Sequence, residues 1–315
     1  MSQKKLISWV MPCFNEEEVI HSTLDRIIKV SHSMNDYSWE LIIVDDGSED
    51  QTSDLIRKFN RRKIDIHLIR FSRNFGHQQA IQAGLDHCSG HAAIIIDADL
   101  QDPPELAMQM IQDWERGFHV VYGIRSKRLE ENNFKRLTAF IFYRLLNIFS
   151  GIPIPKDSGD FRLLDREVIN VLNSMPEKGR FIRGLITWIG FKQKSIEYVR
   201  DKRIAGSTKY SLRKMIVLAL EGLTTFSRRP LRLATFIGFF FSAISFLGII
   251  YVLYIRFFTI NWVPGWAAIL LAILLSSGIQ MICIGILGEY IGNIFFESKN
   301  RPLYIILNKD YLEKH

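Results

Sequence analysis

"IIIDADLQDPPE", residues 94–105, sets three isoleucines directly against Asp97, Asp99, Asp102 and Glu105. A run of β-branched apolar residues suits the inside of a sheet. Clustered carboxylates do not, because they repel one another and are costly to bury. A buried strand that ends where a ligand site begins reconciles the two.

The neighbouring sequence repeats this habit. "LISWVMP" (6–12), "WELIIVDDG" (39–47), "IDIHLIRF" (64–71), "HAAIIIDAD" (91–99) and "HVVYGIR" (119–125) are short apolar runs rich in Ile and Val. Between them lie "EEEVIHSTLDRIIKVSH", "SDLIRKFNRR", "HQQAIQAGLDHC" and "PPELAMQMIQDWERG", each patterned as a helix. This alternation predicts an α/β fold with an open, mostly parallel, Rossmann-like sheet and helices on both faces. Ligands of such sheets bind beyond the carboxyl ends of the strands. There the first run leads into Asn15, Glu16 and Glu17, the second into Asp45 and Asp46, and the fourth into Asp97 and Asp99.

Helix capping accounts for Asp50, Ser53 and Asp102, since one Asp or Ser satisfies the free N–H groups of a helix start. It does not account for the doublets Asp45-Asp46 and Asp97-x-Asp99. Converging carboxylates call for a cation, and oxygen donors without His or Cys select a hard ion, Mg²⁺ or Mn²⁺. Such an ion usually shares its shell with phosphate oxygens, so the site reads as a place for a metal-bound diphosphate. The chain has no GxxxxGK[ST] loop and no GxGxxG after the first strand, which argues against a P-loop ATPase and a dinucleotide dehydrogenase.

The chain of 315 residues carries a net charge of +7, consistent with an anionic partner. Its basic residues lack interleaved aromatic platforms, so nucleic acid is not that partner. Cys13, Cys88 and Cys283 fit neither a zinc site nor a disulfide framework, and the basic start lacks the features of a signal peptide. From about residue 230 the composition changes. "LRLATFIGFFFSAISFLGIIYVLYIRFF" (231–258) and "WAAILLAILLSSGIQMICIGILGEYIGNIFF" (266–296) each exceed the roughly 20 residues that cross a bilayer. Two transmembrane helices are expected, 231–258 and 266–294, with Trp262 and Trp266 at the interface. "SRRPLR" (227–232) precedes them and Lys299, Arg301 and Lys309 come after, which places both termini in the cytoplasm. The expected organisation is a cytoplasmic domain (1–205), a juxtamembrane amphipathic segment (206–230), the hairpin (231–296) and a cytoplasmic tail (297–315).

"MPCFNEEE", "IIVDDGSEDQT", "RNFGHQQAIQAG" and "DADLQDPPE", in that order, resemble the family 2 glycosyltransferases with a GT-A fold. With "GDFRLLDR", "IAGSTKYS" and "GILGEYIG" the resemblance covers nearly the whole chain. It is closest to the polyprenyl-phosphate branch, which includes dolichol-phosphate mannose synthase and bactoprenol glucosyltransferase.

The resemblance implies roles. Pro12, Phe14, Asn15 and Glu16 would shape the nucleotide pocket, and Asp45 or Asp46 would accept a hydrogen bond from the base. Asp97 would face the donor sugar or ribose, while Asp99 and Gln101, with Asp97 close by, would hold the metal on the diphosphate. Asn74 to His77 would order the sugar side, or simply begin a helix. Arg125 and Arg136, with Arg128 and Lys135 nearby, match acceptor-phosphate positions, and arginine meets phosphate bidentately. Phe134, Leu137, Ile141, Leu145 and Ile148 lie beside them at helical spacing, a face for lipid or for core packing. "SLRKMIVLALEGLTTF" (211–226) suits a helix lying in the membrane surface or packing on a neighbouring subunit. Asp157 is the candidate base; Asp160 either shares that work or orients Arg162 or the sugar. Lys209, in "RIAGSTKYS", would contact the diphosphate from a closing loop.

The implied reaction is metal-dependent, inverting transfer of a hexose, glucose from UDP-glucose by preference, to undecaprenyl phosphate at the inner membrane, for surface glycan or O-antigen modification by a homo-oligomer. GDP-mannose or an aminosugar donor is the alternative. A processive polysaccharide synthase is disfavoured because no QxxRW follows the acids, and a non-catalytic scaffold because all the acids are present.

Overall fold

The computed structural model describes residues 4–59, 64–125, 158–199, 229–258 and 265–312. These fall into two compact units: one takes 4–125, 158–199 and 301–312, the other 229–258 and 265–300.

The first unit is built on an eight-stranded sheet: β1 (Lys5–Cys13), β2 (Tyr37–Asp45), β3 (Asp65–Phe71), β4 (Ala92–Ile95), β5 (Val120–Arg125), β6 (Ser158–Asp165), β7 (Gln193–Tyr198) and β8 (Ile306–Leu312). The order is β7-β5-β6-β4-β1-β2-β3-β8. Strands β4, β1, β2 and β3 run parallel, as the alternating sequence requires. The sheet is more mixed than expected, because β6 lies antiparallel between β4 and β5, and β8 runs antiparallel along β3.

Helices α1 (Ile20–Ser33), α2 (Thr52–Lys58), α3 (His77–His87) and α4 (Ala107–Glu115) occupy the four segments patterned as helices, with a 3-10 turn at Pro104–Leu106 leading into α4. Trp9, Met11, Ile20, Leu24, Ile27, Leu41 and Ile43 belong to one buried apolar cluster, where α1 covers the sheet. On α3, a β-carbon at Gly84 would stand 2.3 Å from Val10 Cγ1, so the missing side chain allows helix and strand their close approach. Further helices are α5 (Arg166–Ser174) and α6 (Ile182–Ile189). Asp165 caps α5 by accepting from the Glu167 N–H at 2.8 Å.

The segment expected as a tail supplies β8. Tyr304, just before it, stacks on Phe71 at 5.0 Å and donates its hydroxyl proton to Asp86 at 2.7 Å. Arg57 Nε donates to Asp310 at 2.8 Å. The chain therefore leaves this sheet after β7 and rejoins it after the second unit.

That unit holds α7 (Arg229–Phe258) and α8 (Trp266–Ser298). Within α8, Leu275–Ser298 is long and apolar enough to cross a membrane; the apolar run in the described part of α7 is Ala234–Gly248. Large apolar side chains on both helices, Phe239 and Phe246 on α7 and Ile282 and Ile291 on α8, are exposed.

Candidate active site

The carboxyl ends of β1, β2 and β4 meet on one edge of the sheet, and the acids stand there. After β1 the backbone turns through Asn15, at φ +52°. This loop is laced to the one after β2. The Asn15 N–H donates to Ser48 Oγ (2.9 Å), Glu16 N–H to Thr52 Oγ1 (2.9 Å), and Asn15 Oδ1 accepts from Glu49 N–H (2.9 Å). Pro12 is buried in β1 opposite Val44, and Phe14 is half-buried beside the loop.

The Asp45-Asp46 doublet is committed to the loops. Asp45 is fully buried; it accepts from the Ser48 N–H (2.8 Å) and the Ser53 hydroxyl, with Arg70 Nε at 3.5 Å. Asp46 accepts from the N–H groups of Phe75 (2.7 Å) and Gly76 (3.0 Å). Burial lifts its carboxyl above the ordinary range, opposed by those N–H groups. Gly47, at φ +73°, lies where a β-carbon would strike the Arg73 backbone at 2.5 Å. Together Asp46 and Gly47 fasten the loop that opens α3.

Capping does not explain Ser53 or Asp102. Ser53 serves Asp45, and Asp102 accepts from the Tyr198 hydroxyl. Asp50 accepts from the Thr52 N–H at 3.0 Å at the start of α2 and, with its other oxygen, from the Glu17 N–H at 3.2 Å across the loops.

Asp97 and Asp99 come after β4 in a tight turn with Leu100 at φ +55°. Asp99 is buried and accepts from the Gln101 N–H at 3.2 Å. The Asp97 side chain is 26% exposed. Its Oδ1 accepts no hydrogen bond, although His77 Nε2 lies 3.4 Å away. Burial, opposed by His77 and reinforced by Asp160, Asp102 and Asp99, raises the Asp97 pKa to about 6. Burial works against a charged His77, but Asp97 and Asp160 outweigh it and lift its pKa to about 9.

Asp160, on β6 beside the end of β4, is 7% exposed. Arg183, in the first turn of α6, grips both its oxygens at 2.6 and 2.8 Å. Burial opposes the charge on Asp160, yet Arg183 and His77 hold its carboxyl well below the usual range. Arg162, which the sequence offered as a partner of Asp160, instead donates to the Gly159 carbonyl at 2.7 Å. It is buried, its Nε has no acceptor among the described residues, and burial lowers its pKa to about 10.

The structure thus brings together Asp97, Asp99, Asp160, His77 and Arg183. Arg183 had no expected role; the available signal was an arginine inside the apolar stretch "FIRGLITWI" (181–189). Asp157, Lys209, Arg128, Lys135, Arg136, Trp262 and nearly all of segment 206–230 lie outside the described residues. Arg125 ends β5, with its side chain outside the description.

Among the described residues no three His, Cys, Asp or Glu side chains form a closed metal site. An ion that takes part of its shell from a diphosphate does not need one. The two carboxylates Asp97 and Asp99 in one turn, with oxygen donors offered by them and by Gln101, fit a hard divalent ion.

A family model described as Glycosyl transferase family 2 matches residues 8–172, and one described as GtrB C-terminal hairpin matches 229–294. The chain is 48% identical over 306 residues to the uncharacterized glycosyltransferase YkcC of Bacillus subtilis (strain 168), covering 97% of this chain and 94% of that protein. It is 42% identical over 303 residues to the bactoprenol glucosyl transferase of Shigella phage SfV, covering 96% and 98%. Among solved structures, glucosyl-3-phosphoglycerate synthase from Mycobacterium tuberculosis, in complex with Mn²⁺, UDP and glucosyl-3-phosphoglycerate, is similar at 20% identity and a TM-score of 0.47. That likeness covers 70% of this chain and 78% of the other, and is too slight to carry weight.

Proposed function

The chain belongs to glycosyl transferase family 2, and from that premise we propose that it moves glucose from UDP-glucose to a polyprenyl phosphate at the cytoplasmic face of a membrane. The observation that carries the reading is the acid pair after β4, where Asp97 and buried Asp99 stand two residues apart in one turn, with Asp160 and His77 beside them. The substrate class is supported by the relatives named bactoprenol glucosyl transferase, which this chain matches through both the sheet domain and the hairpin.

In this reading an oxygen of the lipid phosphate attacks the anomeric carbon. The bond from that carbon to the diphosphate breaks, its electron pair leaves with UDP, and the anomeric centre inverts. The phosphate is already anionic at neutral pH, so little proton removal is asked of any base, and positioning supplies most of the rate. The loops after β1 and β2 shape the nucleotide pocket. Asp97 faces the sugar, and Asp99 and Gln101, with Asp97, would hold a divalent ion, which would stabilise the leaving diphosphate. Asp160 is engaged by Arg183, which leaves Asp157 as the candidate base. Arg125, Arg128, Lys135 and Arg136 are the candidate cations for the acceptor phosphate, and Lys209 for the diphosphate.

The return of the chain to the sheet as β8 supports a hairpin. Strands on either side of the second unit share one sheet, so any crossings between them must be even in number. With α8 as one crossing, α7 is the candidate for the other, and the flanking Arg and Lys favour the cytoplasm for both ends.

The test is to incubate the purified protein with undecaprenyl phosphate and a panel of labelled nucleotide sugars, with and without chelator. Label passing to lipid from UDP-glucose, and only with metal, is the expected outcome. Transfer from GDP-mannose or an aminosugar donor instead would overturn the sugar assignment. No transfer from any donor would overturn the reading.

A further inference from the structure

Arg183 lies outside the stretches quoted above for the resemblance, yet it is built into the site. Arg180, before α6, donates to the carbonyls of Leu172 (2.8 Å) and Met175 (2.6 Å), which pins the α5–α6 connection. The Ile182 N–H donates to Gln78 Oε1 at 3.1 Å, tying the start of α6 to the start of α3. Arg183 is thus delivered to Asp160 by fixed backbone. Its Nε and Nη2 take one carboxylate oxygen each. Such a fork sets both the place and the rotation of a carboxylate, which a lysine ammonium cannot do. On its other side Asp160 Oδ2 meets Gln78 Nε2 at 3.4 Å and His77 Nε2 at 3.3 Å. The same imidazole nitrogen stands 3.4 Å from Asp97 Oδ1. A single line of contacts therefore runs from α6 through β6 and α3 to the acid at the end of β4.

We propose that Arg183 is a positioning residue for the transfer: it locks Asp160, Asp160 fixes the His77 ring, and the ring sets Asp97 against the donor sugar. The inference rests on the placement of Asp97 at the donor made above. Its rival is a plain structural role, in which the ion pair merely staples α6 to the sheet. The two differ in what happens to His77.

The experiment uses the full-length protein in detergent: wild type, Arg183→Ala, Arg183→Lys, Asp160→Asn, His77→Gln, and Arg183→Ala combined with His77→Gln. The readouts are steady-state transfer and the NMR signals of ¹⁵N-labelled histidine without donor or metal. Arg183→Ala is expected to lower kcat about 100-fold, the scale of a group misplaced by roughly 1 Å. The KM for the donor should stay within about threefold, as for an interaction felt mainly in the transition state. Arg183→Lys recovers little of that loss because it lacks the fork, and Asp160→Asn, close to isosteric, reproduces it. Adding His77→Gln to Arg183→Ala costs little more, since the residues act as a unit. The His77 ring signal, identified by its loss in His77→Gln, shifts in both Arg183 variants while the other histidines stay in place. Full rescue by lysine, or losses that multiply in the double variant, overturns the proposal. An unmoved His77 signal in Arg183→Ala overturns it whether or not the wild type transfers sugar. A wrong donor assignment shows differently, as a wild type inactive with every donor.

Discussion

Asp97 and Asp99 stand two residues apart in different surroundings: one faces an imidazole at 3.4 Å, the other is buried with a backbone partner. Replacing Asp99 by Ala is expected to cut transfer by at least about 100-fold, the scale of losing one charge-stabilising group. The variant should keep its fold and membrane insertion, read by circular dichroism and membrane fractionation. His77 carries a pH prediction. Its pKa is raised to about 9 in the folded chain, against about 6.5 unfolded. Its contribution to stability is therefore complete below the unfolded value and is lost as pH rises through the folded one. In chelator, the thermal midpoint of the wild type should fall across that window, and His77→Gln should flatten the fall. The sequence showed that acids converge here, but not which were already engaged. Asp46 is held by N–H groups near residue 75 and Asp160 by a guanidinium from α6, partners that only tertiary structure brings near.

Element by element, the first five strands and first four helices were legible because their apolar periodicity is strong and their ends carry Gly, Pro or acids. The later strands were not. β7, "QKSIEY", and β8, "ILNKDYL", lie at the two edges of the sheet, where polar residues face water and dilute the pattern. β6 carries Asp160 and Arg162 because its end is part of the site, so function overrides its strand signature. Two substitutions test the packing. Gly84→Ala forces a methyl into Val10 and should cost about 1–3 kcal/mol as overpacking, with some loss of kcat because α3 carries His77. Tyr304→Ala removes the stack on Phe71 and the bond to Asp86, at a cost of about 2 kcal/mol. Chemical denaturation measures both; a change near zero for Tyr304→Ala would mean that β8 holds without that anchor.

At the scale of the whole molecule, the chain is a sheet domain interrupted by a helical pair, since residues after α8 complete the sheet begun before α7. Sequence alone located both long apolar helices but read residues 297–315 as a tail, because nothing local in a mixed polar segment marks it as the partner of β3. The proposed topology is testable by cysteine labelling of intact cells. Positions near both termini should be shielded from an impermeant reagent, and a cysteine placed at 261–263 should react. The central claim is that an ion bridges Asp97, Asp99 and a donor diphosphate. Anomalous diffraction from crystals grown with Mn²⁺ and UDP-glucose addresses this most directly. A peak within about 2.5 Å of an Asp99 oxygen, with the diphosphate on its open side, is the predicted result. Donor bound elsewhere, or manganese absent from that turn while donor is bound, would contradict it.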